Sequence, residues 1–163
     1  MVLADNQKRG MRQMSEPTHI DQIHATAILM DGKGVILRGP SGSGKSDLAL
    51  RLIDRGAVLI ADDRVDIFSE NDDLHCTAPA NLSGLLEVRG VGIIKLECAP
   101  KAPIDLIVDL EDLASQSRLP ETGTIELYAQ TLRHLRLSAF AASTPAKIRL
   151  ALTLGPEAMV EPS

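Results

Sequence analysis

The chain has 163 residues, 44% of them hydrophobic, and a formal net charge of −5. That length supports one domain with a substantial core and leaves no room for a second of similar size. The acidic balance, with one tyrosine, two phenylalanines and no tryptophan, excludes the basic field and aromatic platforms that a nucleic-acid partner needs.

Residues 1–18 are polar and without apolar period, and read as a mobile N-terminal tail. No stretch reaches the ~20 apolar residues that cross a bilayer, and the N-terminus lacks the apolar block of a signal peptide. A cytoplasmic protein without membrane association is therefore expected. Residues 24–30 and 35–37 are apolar, and Asp31-Gly32-Lys33-Gly34 between them signals a hairpin turn. The second arm runs into residues 39–46, Gly-Pro-Ser-Gly-Ser-Gly-Lys-Ser, a complete G-x-x-x-x-G-K-[ST] phosphate loop. Residues 46–55 place Leu48, Ala49, Leu52 and Ile53 on one helical face, and Gly56 ends that helix. A buried strand is predicted over 58–61, which puts Asp62-Asp63 at its C-terminal end.

Further along, residues 64–69 and 74–77 flank the polar turn Glu70-Asn71-Asp72-Asp73 as a second hairpin. Residues 85–96, Leu-Leu-Glu-Val-Arg-Gly-Val-Gly-Ile-Ile-Lys-Leu, have apolar ends and a polar middle, which reads as a surface loop between strands. Residues 104–108 form another buried strand, followed by a polar, acidic segment through residue 122. A closing helix is predicted over 146–154 and stopped by Gly155-Pro156. Cys76 and Cys98 lack metal-ligand spacing and read as reduced core residues. The fold class is α/β and P-loop-containing, a mixed central sheet with a strand–phosphate loop–helix unit and flanking β-hairpins. Its catalytic domain is placed at residues 19–155, between the tail and a C-terminal segment at 156–163.

The chemistry starts at the loop. Its glycines let backbone N–H groups wrap β- and γ-phosphate oxygens, Lys45 adds a point charge, and the helix N-terminus favours the anion. Gly39, Ser41, Gly42, Ser43, Gly44, Lys45 and Ser46 are the nucleotide-binding candidates, with Ser46 placed to hold magnesium. In open α/β sheets ligands sit beyond the carboxyl ends of strands, so Asp62 and Asp63 should lie near the loop. Two carboxylates beside a triphosphate make sense chiefly with a metal present, and the competing reading is a solvated turn. Glu87 offers a hard oxygen and Arg89 a fork for phosphate, against the bland reading of a surface loop. His24, taken alone at the start of an apolar strand, reads as a satisfied packing residue rather than a site group. Arg38, abutting the loop, reads as a phosphate contact or as a solvated charge. No aromatic clamp for adenine is evident.

Together these segments resemble one family, the catalytic domain of HPr kinase/phosphorylase. Three stretches within residues 23–110 carry the resemblance: 23–56 around the phosphate loop, V-L-I-A-D-D-R-V-D-I at 58–67, and L-L-E-V-R-G-V-G-I-I-K-L at 85–96, which looks like the family signature. The resemblance implies an ATP- and Mg2+-dependent serine kinase acting on an HPr-like phosphocarrier protein. It implies Asp62 as the catalytic acid/base, Asp63 as its neighbouring carboxylate, His24 near the reacting phosphate and Arg89 as the signature arginine. Ser46 and Glu87 would hold magnesium. Members form hexamers, which implies homo-oligomer contacts. The chain looks like the short, truncated kinases of this family found in some proteobacteria, which implies kinase activity and leaves phosphorolysis open. A small-molecule kinase or ATPase, and a non-catalytic nucleotide sensor, are the alternatives.

Overall fold

The computed structural model describes residues 16–160 except 113, 115–117 and 119–122; residues 1–15 of the expected N-terminal tail, part of the acidic segment before residue 122 and the last three residues lie outside that set. Eleven strands are described: β1 (Thr18–Ile23), β2 (Ala25–Met30), β3 (Lys33–Arg38), β4 (Val58–Ala61), β5 (Val65–Glu70), β6 (Asp73–Thr77), β7 (Leu85–Val88), β8 (Gly92–Lys95), β9 (Ala102–Leu110), β10 (Thr124–Leu127) and β11 (Gln130–Leu137). Two helices accompany them, α1 (Lys45–Asp54) and α2 (Thr144–Leu154). The described helices are all too short to cross a membrane.

Nine strands form one mixed sheet in the order β1-β5-β6-β9-β3-β2-β4, with β11 also on β9 and β10 on β11. The strand that ends in the phosphate loop, β3, is antiparallel to β2 and parallel to β9, which in turn is parallel to β11. The β2–β3 hairpin closes through Asp31 and Gly32, both at positive φ, the two-residue turn whose twist matches the strands it joins. At Gly34 the backbone of β3 meets that of β9 so closely that a Cβ would stand 2.2 Å from the Pro103 carbonyl oxygen. Only glycine fits there.

Apolar residues alternate between the two faces of the central strands, so both faces are covered. Ile28, Val35, Leu37, Leu106 and Val108 pack under Leu48 and Leu52 of α1 and Ile148 and Leu152 of α2. Ile36, Ile104 and Ile107 face the other way, onto Ile67, Leu74 and Cys76 of the β5–β6 arm. Leu48 and Leu52 are fully buried, so truncating either to alanine would cost about 2–5 kcal/mol. This is the packing that fixes the start of α1 beneath the phosphate loop. Both cysteines are free thiols; Cys76 is buried, and burial pushes its pKa up to about 12.

Three elements depart from the sequence reading. Strand β1 lies on the exposed edge of β5, where the sequence shows no apolar pattern. The hairpin β10–β11 was not anticipated at all. Residues 85–96 are no loop but a hairpin of their own, β7–β8, with Glu87 opposite Ile93. Leu86 is fully buried and anchors that hairpin, while Gly90 and Gly92 at its tip take positive φ.

Candidate active site

The loop between β3 and α1 opens on a cavity of about 330 Å³ that gathers residues from five separate segments, Phe140 after β11 among them. Ser41, Gly42, Gly44, Lys45 and Ser46 line one side. Asp62 and Asp63, after β4, His24, before β2, and Glu87 and Arg89, from the β7–β8 hairpin, line the other. Of the loop residues proposed from sequence, Gly39 and Ser43 do not line the cavity. The Ser43 hydroxyl is turned under the loop and buried without a hydrogen-bond partner, and a Cβ on Gly39 would stand 2.5 Å from it.

Gly44 caps α1 with φ 94°. A Cβ there would come within 2.8 Å of Ala139 Cβ and 3.0 Å of the Phe140 ring, so both conformation and space demand glycine. The Lys45 ammonium donates to the carbonyl oxygens of Gly39 (2.6 Å) and Pro40 (3.1 Å), which ties the bend shut around its own positive charge. Burial draws the Lys45 pKa down, and the negative charges of Asp62 and Asp63 pull in the opposite direction without cancelling it.

Asp62 is buried, and its Oδ1 accepts hydrogen bonds from Ser46 Oγ and Thr26 Oγ1, both at 2.8 Å. Its Oδ2 has only a long 3.4 Å contact from the Glu87 backbone N–H, and Asp62 lines the cavity. Asp63 differs in every respect. It is exposed, its backbone takes φ 70°, and the Arg64 N–H donates to the Asp62 carbonyl across it at 2.9 Å. Such a three-residue turn with a positive-φ centre is rare and strained. Here it throws the Asp63 carboxylate onto His24 Nε2 at 2.9 Å.

The sequence reading missed Thr26 and Phe140. A threonine in a strand looks like an ordinary β-former, and only its zero exposure beside a carboxylate reveals a role. Arg38, left open between a phosphate contact and a solvated charge, is neither: its guanidinium forks onto Asp109 through Nε and Nη2, both at 2.8 Å.

The donor set suits a hard divalent ion: a hydroxyl on Ser46, carboxylates on Asp62 and Glu87, no sulfur and no imidazole pair. Among the described residues no three His, Cys, Asp or Glu side chains are gathered to hold a metal by themselves. Magnesium takes one or two protein oxygens of this kind and completes its shell with phosphate and water.

A strand, a glycine-lined bend and a helix N-terminus, with a carboxylate at the end of another strand of the same sheet, define the P-loop class of α/β domains. Comparison with known proteins narrows the class. Residues 15–139 match the family model described as HPr Serine kinase C-terminal domain. The chain belongs to that family, and the match reaches through β11, well past the segment that carries the resemblance in sequence. The HPr kinase/phosphorylase of Lactiplantibacillus plantarum is 40% identical over 112 residues, 64% of this chain and 36% of that protein. The Pediococcus pentosaceus protein of the same name is 53% identical over 75 residues, 45% of this chain and 24% of that protein. The chain thus spans about a third or less of these relatives. The Hpr(Ser) kinase/phosphatase from Coxiella burnetii superposes with a TM-score of 0.72 at 24% identity, covering 82% of this chain and 89% of that one. That likeness establishes the fold.

Proposed function

We propose that this chain transfers the γ-phosphoryl group of ATP to a serine of an HPr-like phosphocarrier protein. The observation that carries the reading is the Asp62 carboxylate, buried in the lining of the cavity beside the phosphate loop, with one oxygen anchored by two hydroxyls and the other holding a single long contact. Membership of the kinase family supports it.

In this mechanism the triphosphate lies along residues 39–46, with backbone N–H groups and Lys45 holding its oxygens. The acceptor serine presents its hydroxyl to Asp62 Oδ2. That carboxylate takes the proton as the serine oxygen bonds to the γ-phosphorus and the bond to the β-phosphate oxygen breaks, releasing ADP. Thr26 and Ser46 keep Oδ1 from rotating away, so Asp62 meets the hydroxyl in one orientation. Magnesium, when bound by Ser46 and Glu87, would neutralise charge on the β- and γ-phosphate oxygens. Arg89, at the hairpin tip, would stabilise charge on the transferring group, and the His24–Asp63 pair would border the reacting phosphate. A cytoplasmic location and self-assembly into hexamers belong to the same proposal.

Incubation with labelled ATP, magnesium and an HPr-like protein, followed by mapping of the modified residue, tests the reading. Label on a serine of the acceptor is the expected result. Label appearing only as free phosphate or on a small metabolite would overturn it.

A further inference from the structure

We propose that Phe140 is the platform on which the base of the bound nucleotide stacks. The inference rests on the nucleotide reading above and assigns the base a position in the same cavity. Phe140 lines that cavity yet is 70% exposed, whereas the chain's other phenylalanine, Phe68, is buried. Its ring edge packs on the loop itself, since a Cβ on Gly44 would lie 3.0 Å from Phe140 Cε1 and Cζ.

The backbone that carries the ring is pinned. The Arg51 guanidinium on α1 donates to the carbonyl oxygens of Ala139 and Ala141, the residues on either side. Thr144 Oγ1 donates to the Ser138 carbonyl, and Ser138 and Ala139 are buried. A large apolar ring held open on a fixed stem is a preorganised stacking surface.

Strand order gives the direction. Asp62 follows β4 and Thr26 lies on β2, both to one side of β3; Phe140 follows β11, two strands to the other side of β3. Neighbouring strands are ~4.8 Å apart, so β11, from whose end Phe140 follows, lies roughly 10 Å across the sheet from the phosphate loop's own strand. A nucleotide with its γ-phosphate beside Asp62 and its phosphates along the loop carries its base away from the reacting end, toward Phe140. Stacking uses a π-face that every base has, so it needs no hydrogen-bonding edge.

The test separates base from phosphates by comparing magnesium ATP with magnesium tripolyphosphate. Phe140→Ala should weaken ATP binding about tenfold and leave tripolyphosphate affinity unchanged. Because the chain has no tryptophan, Phe140→Trp gives a single fluorophore at the site. ATP should quench its emission, and tripolyphosphate should not. Equal losses for both ligands in Phe140→Ala, unchanged ATP affinity, or the same quenching by both ligands would overturn the platform alone. Wild-type protein that bound neither ligand would overturn the phosphate-loop reading, and this inference with it.

Discussion

Two carboxylates lie at strand ends of one sheet, and their partners make them opposites. Asp62 is held by neutral hydroxyls, those of Thr26 and Ser46. Asp109, on β9, is held by the Arg38 guanidinium fork and by His134 Nε2, which approaches its Oδ2 at 2.7 Å. Hydroxyl partners fix a carboxylate without pairing it to a cation, which on the proposed mechanism leaves Asp62 open to a proton. An arginine fork spends that charge inside the fold. Even Lys45, the nearest loop cation, sends its hydrogen bonds to the Gly39 and Pro40 carbonyls. Under the proposed mechanism, the contrast separates a reactive acid from a structural one of the same residue type.

Removing the loop cation should have the largest effect on binding. Lys45→Ala deletes charge-assisted contacts to phosphate, each worth about 1.5–3 kcal/mol. Titration calorimetry with magnesium ATP should record a ten- to hundredfold loss of affinity, and unchanged affinity would remove the phosphate-loop premise.

Asp109→Asn should instead act on stability. It strands Arg38 and the buried His134, at a cost of about 1–2 kcal/mol once the partial exposure of the cluster is allowed for. Phosphotransfer by the folded variant should stay within a few-fold of wild type. Burial pushes the Asp109 carboxyl up, but the bonds from Arg38 and His134 outweigh it and hold it below the usual range. A depressed folded-state pKa contributes stability that is present above the unfolded value, about 3.9, and is lost as pH falls through the folded one. Denaturant melts of wild type and variant should therefore differ most near neutral pH and converge in acid. A gap that widened below about pH 4 would contradict the assignment.

Thr26→Val sharpens the comparison from the other side. It removes one of the two hydroxyls on Asp62 Oδ1 and keeps the side-chain shape. The turnover rate should fall about five- to tenfold with little change in nucleotide affinity, as expected from a lost hydrogen bond of about 1 kcal/mol. A loss of affinity without a loss of rate would assign Thr26 to binding instead.

Much of this site was legible because its residues announce themselves locally. The phosphate loop needs its glycines in a fixed order, and Asp62-Asp63 follow a short apolar strand. Asp31-Gly32 and Asn71-Asp72 take the positive φ values that two-residue hairpin turns require. The β10–β11 hairpin was illegible for the opposite reason. Its turn is Tyr128-Ala129, both at positive φ, which no turn preference predicts. The Tyr128 hydroxyl donates to Asp21 at 2.6 Å across 107 residues of sequence, a tertiary bond that replaces the missing local signal. Thr26 and Phe140 were hidden likewise: each gains its meaning from a neighbour that only the folded sheet supplies.

The central claim, that Asp62 accepts the proton of an incoming serine, is tested most directly by Asp62→Asn at saturating magnesium ATP. Asparagine keeps an acceptor oxygen for Thr26 and Ser46 but cannot serve as base. Single-turnover phosphotransfer to the acceptor should drop by about 10²–10⁴-fold while the melting temperature holds. Transfer at the wild-type rate would contradict the account.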